Sequence, residues 1–269
     1  MTIYLQRPFF APTFKISSDD EALLGLLRLQ YGPFACTFPA TDVGLDPIEV
    51  IPQSVHSYIV QHRGGQVLTS DPLAELDNIF YTHTTYDPSI LALHGSAVAW
   101  GGRAYVFLAI TGSGKTTLAS YLTSAGFDYI TDDCILIDRD SLAVHPHCCP
   151  IHLRDGGLAV LERLGAAPQG LTYLNAGVMS RHIYMPGNCV TQPLPLGGVY
   201  FITLSNSTNE VLPLSANEAL AQLMHAPMTP YAPTPDYLRL LMRLVQTGCQ
   251  RLVYKDMDFV ARYIKTNGG

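Results

Sequence analysis

Nine consecutive residues, Ala109 to Thr117 ("AITGSGKTT"), have the types and spacing to hold a phosphate chain. Thr111, Gly112, Ser113 and Gly114 form the turn. Gly112 and Gly114 let backbone N–H groups converge on an anion with no Cβ in the way. Lys115 can reach the β- and γ-phosphates, and the hydroxyls of Thr116 and Thr117 follow, the first placed for Mg2+. Ala109 stands where the general pattern has its first glycine, the least demanding position of the motif. The chain has only four lysines, and one of them is here.

Two acids come next. "FDYIT" reads as a strand that delivers Asp132 and Asp133, and "CILID" continues the β pattern. If this strand lies beside the loop's own strand, both carboxylates emerge near the γ-phosphate. One can then bind Mg2+, directly or through water, while the other accepts a proton from an attacking hydroxyl. A solvated acidic turn is the plainer alternative, and the apolar strand before the pair speaks against it. His94 lies in an apolar run and is explained equally well as a hydrogen-bonded core histidine or as a site residue. Gly95 beside it permits close backbone approach, and a neighbouring carboxylate would raise the imidazole pKa. Arg154 in "HPHCCPIHLRDGG" and Arg181 in "SRHIYMPG" are candidates for holding a transferring phosphate or a peptide carboxylate. Ordinary solvated or structural arginines are the simpler reading of both.

The elements that must position these groups follow from pattern. The β-prone runs 90–100 and 103–110 are separated by Gly101-Gly102, which predicts a tight hairpin and an antiparallel partner for the strand feeding the loop. Residues 116–125 suit a helix that Gly126 can close in a left-handed cap. Strand, glycine loop and helix are the context a phosphate loop requires. Upstream, "SSDDEALLGLLRLQYG" predicts a short helix closed by Gly32, "HSYIVQHRGGQVLTS" a hairpin about Gly64 and Gly65, and "DPLAELDNIFYTHTTY" a helix. Downstream come a buried strand in "LGGVYFITLS" and a helix with a Ser215/Glu218 capping box. The proline-rich loop "APMTPYAPTP" precedes a helix starting at Pro235 and ending at Gly248, and "DMDFVARYIKTNG" supplies the last helix. Two regions result: residues 1–88, an α+β scaffold or partner-docking region, and 89–269, which carries the chemistry.

Composition narrows the classes. With 48% apolar residues the core is ample. With 14% charged residues, a net charge of −6 and no basic run, the footprint of a nucleic-acid binder is missing. No apolar span is long enough to cross a bilayer, so a cytoplasmic protein without membrane attachment is expected. The six cysteines, Cys36, Cys134, Cys148, Cys149, Cys189 and Cys249, follow no zinc or disulfide spacing and read as packing residues. The histidines of the first region, His56, His62 and His83, are scattered.

"LHGSAVAW", a short turn, "AITGSGKTTLASYLTSAGF" and "YITDDCILI" together resemble the core of bacterial HPr kinase/phosphorylase over about residues 89–138. The resemblance implies an α/β P-loop kinase core of the HPr kinase/phosphoenolpyruvate carboxykinase type, with a small N-terminal α+β region. It implies that Gly112 to Thr116 hold ATP and Mg2+, with Thr116 and Asp133 at the metal, and that His94 and Lys115 belong to the active site. Asp132 would be the base and Asp133 its support, although which acid is the base stays open. No counterpart of that family's phosphorolysis segment is found, and the first 90 or so residues are unlike its N-terminal domain. The arrangement is more similar to the HPr-kinase-like enzymes of lasso-peptide biosynthesis, which phosphorylate the C-terminal serine of a precursor peptide. A serine kinase acting on a peptide or small protein is therefore the leading expectation. A small-molecule P-loop kinase and a non-catalytic nucleotide-binding module are the alternatives, and a homo-oligomer is left open.

Overall fold

The computed structural model describes residues 1–5, 13–34, 45–54, 57–85, 89–109, 112–176, 179–228 and 234–267. They form two compact units, Met1–Tyr86 with Asn175–Met179, and Asp87–Leu174 with Ser180–Gly269.

The first unit holds β1 (Thr2–Leu5), β2 (Thr13–Ser18), α1 (Glu21–Tyr31), β3 (Leu45–Ser54), β4 (Ser57–His62), β5 (Gly65–Thr69) and α2 (Pro72–Thr85). The sheet runs β1-β2-β3-β4-β5 and is antiparallel except for the β2–β3 pair. Asp20 caps α1 by accepting the N–H of Leu23 at 3.0 Å, and Asp71 does the same for Ala74 ahead of α2. Gly32 does not end α1 in a left-handed turn. Its φ of −49° leads into a single turn of 3-10 helix, residues 32–34. The β4–β5 turn is Arg63-Gly64, both with positive φ, so Gly65 is already in the strand. Cys36 and His56 fall outside the described residues, as does the side chain of His83.

The second unit begins with β6 (Ile90–Trp100) and β7 (Arg103–Leu108), which pair antiparallel about Gly101-Gly102, the hairpin expected from sequence. Then come α3 (Lys115–Ser124), β8 (Asp128–Thr131), β9 (Cys134–Asp138), β10 (Val144–His145), β11 (Ile151–Leu153), α4 (Asp155–Arg163), β12 (Thr172–Ala176) and β13 (Met179–Tyr184). The last elements are β14 (Leu196–Leu204), β15 (Glu210–Pro213), α5 (Ala216–Leu223), α6 (Pro235–Gln246), β16 (Cys249–Tyr254) and α7 (Met257–Asn267). Gly126, at φ 93°, closes α3, and Ser215 and Glu218 make both bonds of their capping box.

The main sheet runs β10-β9-β6-β7-β14-β16-β15, with β8 also paired to β6. Strands β7, β14 and β16 are mutually parallel, so their carboxyl ends share one edge. The period of two in β7 separates the two faces. Ala104, Val106 and Leu108 pack with α5 and α6, whereas Tyr105 and Phe107 pack with α3 and α7. A smaller sheet has the order β11-β13-β12.

The strand bearing the acids does not lie beside β7, the condition under which sequence reasoning brought the acids to the γ-phosphate. Strands β8 and β9 pair with β6 instead, because β6 already occupies that edge of β7 as its hairpin partner. The closest packing falls at Gly95, opposite Leu108. A Cβ there would stand 2.6 Å from the Phe107 carbonyl oxygen and 2.7 Å from Ile135 Cδ1. At Gly156, in the first turn of α4, nothing lies within 4 Å. Gly95→Ala should therefore lose about 1–3 kcal/mol of stability through overpacking. Gly156→Ala should be neutral or gain about 0.5–1 kcal/mol from reduced unfolded-state freedom. Urea denaturation of the two variants checks this, and equal behaviour would contradict the packing described.

Candidate active site

The turn after β7 opens at the shared carboxyl edge of the parallel strands, where open α/β sheets place their ligands. Gly112 and Gly114 adopt φ of 85° and 87°, a region that strongly favours glycine, and α3 starts at Lys115. Thr111 lies outside the described residues. The Lys115 side chain is buried, and its Nζ donates to the Ala109 carbonyl at 2.9 Å. Burial lowers its pKa, and the charges of Asp132 and Asp133 pull the other way. Thr117 faces α4, where a Cβ on Gly157 would come within 2.8 Å of its Oγ1. The Ser113 hydroxyl is buried without a partner.

Sheet register brings the remaining groups to this edge. Gly95 pairs with Leu108 at the end of β7, His94 pairs with Cys134, and Ala97 with Thr131, so the β8–β9 corner carrying Asp132 and Asp133 faces His94. The backbone of His94 is held at 2.7 Å by the carbonyl of Ala226, and the Gly95 N–H donates to the Asp133 carbonyl at 3.1 Å.

The two acids have different surroundings. Asp133 is half-exposed, and its Oδ1 lies 3.0 Å from His94 Nδ1. Nδ1 must carry the proton in that bond, which leaves Nε2 as the acceptor in the neutral ring. Asp132 is in contact with the Thr116 hydroxyl, while its Oδ1 is cut off from solvent and has no hydrogen-bond partner. Burial, and then the charge of Asp133, push the Asp132 carboxyl well above the ordinary range. The Thr116 hydrogen bond and the Lys115 charge only partly oppose them.

These residues fit a phosphate chain and a magnesium ion. The two glycines, the unpartnered Ser113 hydroxyl and Lys115 suit the anion. The Thr116 hydroxyl and a carboxylate of the acidic pair are the hard oxygen donors that Mg2+ prefers. Arg154 is exposed and stands at the N-cap of α4. Arg181 contacts His152, and His152 feels the charge of Asp133. Sequence reasoning missed His152, whose place between buried Ile151 and Leu153 was hidden by the shortness of β11. It also missed Tyr254, whose buried hydroxyl has no partner and lies 3.5 Å from where a Gly114 Cβ would stand.

No family model and no curated protein matches the chain. Among solved structures, the HPr(Ser) kinase/phosphatase from Coxiella burnetii is similar. It is 10% identical, with a TM-score of 0.31, over 65% of this chain and 91% of that one. A likeness that loose assigns no activity.

A carboxyl that keeps its proton longer in the folded than in the unfolded chain makes stability fall as pH rises from its ordinary value of 3.8 through the folded value. Asp132→Asn removes that loss. The variant without ligand should melt higher than wild type at about pH 8, and the gap should close as pH falls to about 4. Thermal melts across that range check this, and a gap that stays constant with pH would rule out the buried carboxyl as its cause.

Proposed function

We propose that the protein is an ATP-dependent kinase that transfers the γ-phosphate to a serine hydroxyl of a peptide or small protein. The single observation that carries the reading is the buried, unpartnered Oδ1 of Asp132, next to the hydroxyl that follows Lys115 in the phosphate loop. A carboxylate with a raised pKa is a better proton acceptor near neutrality than an exposed one. Bound Mg2+ would neutralise phosphate charge.

The chain's own residues divide the remaining work. The backbone of Gly112 to Gly114, with Lys115, binds and orients the phosphates, and Thr116 and Asp133 are the residues that would hold the metal. Asp132 Oδ1 takes the proton of the attacking hydroxyl, and the bond from oxygen to phosphorus forms as the bond to ADP breaks. His94 fixes Asp133 through the 3.0 Å contact. The finer reading, that the acceptor is the C-terminal serine of a lasso precursor peptide, is supported only by the overall arrangement of the sequence, an N-terminal region unlike that of HPr kinase/phosphorylase and a proline-rich C-terminal part.

Calorimetric binding of a non-hydrolysable ATP analogue should be abolished or severely weakened in Lys115→Ala and nearly unchanged in Asp132→Asn. Turnover in Asp132→Asn should fall by about 10²-fold or more, the scale of a lost general base. Incubation with ATP and a serine-terminated peptide should add one phosphate, located by fragmentation mass spectrometry. Equal labelling of free serine or of sugars would move the assignment to a small-molecule kinase. Unchanged nucleotide affinity in Lys115→Ala would remove the phosphate-loop assignment altogether.

A further inference from the structure

Tyr254 is the last residue of β16, which pairs in parallel with β14. Phe201 of β14 is level with Leu108 on one side and with Arg251 on the other, so Tyr254 stands three residues (254 − 251) beyond the end of β7, at the level of the phosphate loop. Its ring is fully buried in the apolar cluster that this face of the sheet forms with α3 and α7. Packing fixes the ring, and the hydroxyl is the only polar atom of the side chain. That hydroxyl meets the start of α3: it lies 3.5 Å from where a Cβ on Gly114, the N-cap, would stand. It is shut off from solvent, so it faces the loop from the inner side, and it has no hydrogen-bond partner. Burial pushes its pKa up to about 12, so it keeps its proton and remains a donor.

A buried tyrosine hydroxyl ordinarily finds a partner, and leaving it without one costs stability. The Ser113 hydroxyl, one residue before Gly114, is buried in the same unpartnered state, and no side chain caps α3. The loop is therefore incomplete when empty. In a trans peptide the N–H and C=O point opposite ways, so a loop that turns its N–H groups onto an anion turns carbonyl oxygens to its inner side. A donor is needed there, and Tyr254 supplies one. We propose that Tyr254 is a positioning residue of the phosphate loop, whose hydroxyl donates to an inward-facing loop carbonyl when a phosphate chain fills the loop. The bond holds the N–H groups of the turn toward the phosphates. The proposal rests on the reading of residues 109–117 as a phosphate loop and is independent of the acceptor.

Full-length wild type and Tyr254→Phe are titrated by calorimetry with Mg·ADP and with Mg·pyrophosphate, a phosphate chain without a nucleoside, and each empty protein is melted. Phenylalanine keeps the ring and removes only the donor. Both affinities should fall by a similar factor, about threefold to tenfold, the scale of one neutral hydrogen bond. The empty variant should melt at the same temperature as wild type or higher, because the hydroxyl makes no bond there. Tyr200→Phe removes a hydroxyl from the same apolar cluster on β14 and should change neither affinity. Unchanged affinities in Tyr254→Phe would overturn the proposal. So would an equal loss in Tyr200→Phe, a loss for ADP but not for pyrophosphate, or a lower melting temperature of the empty Tyr254→Phe protein, which would show a bond already made without ligand. Wild type that binds neither ligand would instead remove the phosphate-loop reading, and the proposal with it.

Discussion

The Lys115 side chain and one carboxyl oxygen of Asp132, Oδ1, are taken out of water at one edge of the main sheet. Desolvation moves the lysine pKa down and the carboxyl up, so each is pushed toward its neutral form, while their mutual attraction pulls both back. A fold tolerates such a pair only where its surroundings over-determine it. Here the surroundings are the β6–β7 hairpin, the glycine turn ahead of α3 and the β8–β9 corner, all registered against one another through β6. Gly95 is the contact point of that registration, and it admits no side chain.

The same constraint separates the two acids. One residue of chain displacement puts Asp133 toward solvent and His94, and Asp132 inward toward Thr116. Neighbours in sequence thus acquire different chemistry from their positions at a strand corner: an oriented histidine–carboxylate pair and an isolated carboxyl with one unpartnered oxygen. The arrangement lowers the stability of the empty protein, as is common where groups are held ready for a ligand.

Much of this second unit was legible in the sequence because its signals are local. The Gly101-Gly102 turn, the glycines about Lys115, the cap at Gly126, the Ser215/Glu218 box and Pro235 at the start of α6 each act within a few residues. What was not legible depends on pairings distant in sequence. The partner of the acidic strand was left conditional in the sequence; it joins β6 and not β7, because a hairpin partner takes the edge first. In the first unit, β1 to β3 are assembled through a parallel pair that no turn residue announces. His152 escaped notice because β11 is three residues long, too short for a period of two to show, and its contact Arg181 lies 29 residues further on. Gly64 and Gly65 were read as the turn, but Arg63 enters the left-handed region ahead of Gly64.

The central claim of the proposed function is that Asp132, with its buried, unpartnered Oδ1, acts as a base with a raised pKa. The dependence of kcat/KM on pH reports the ionisation of the free enzyme and tests this most directly. With ATP and a serine peptide, kcat/KM should rise along a limb whose midpoint lies well above the ordinary carboxylate value of 3.8. A limb at that ordinary value, or the same limb persisting in Asp132→Asn, would contradict the account.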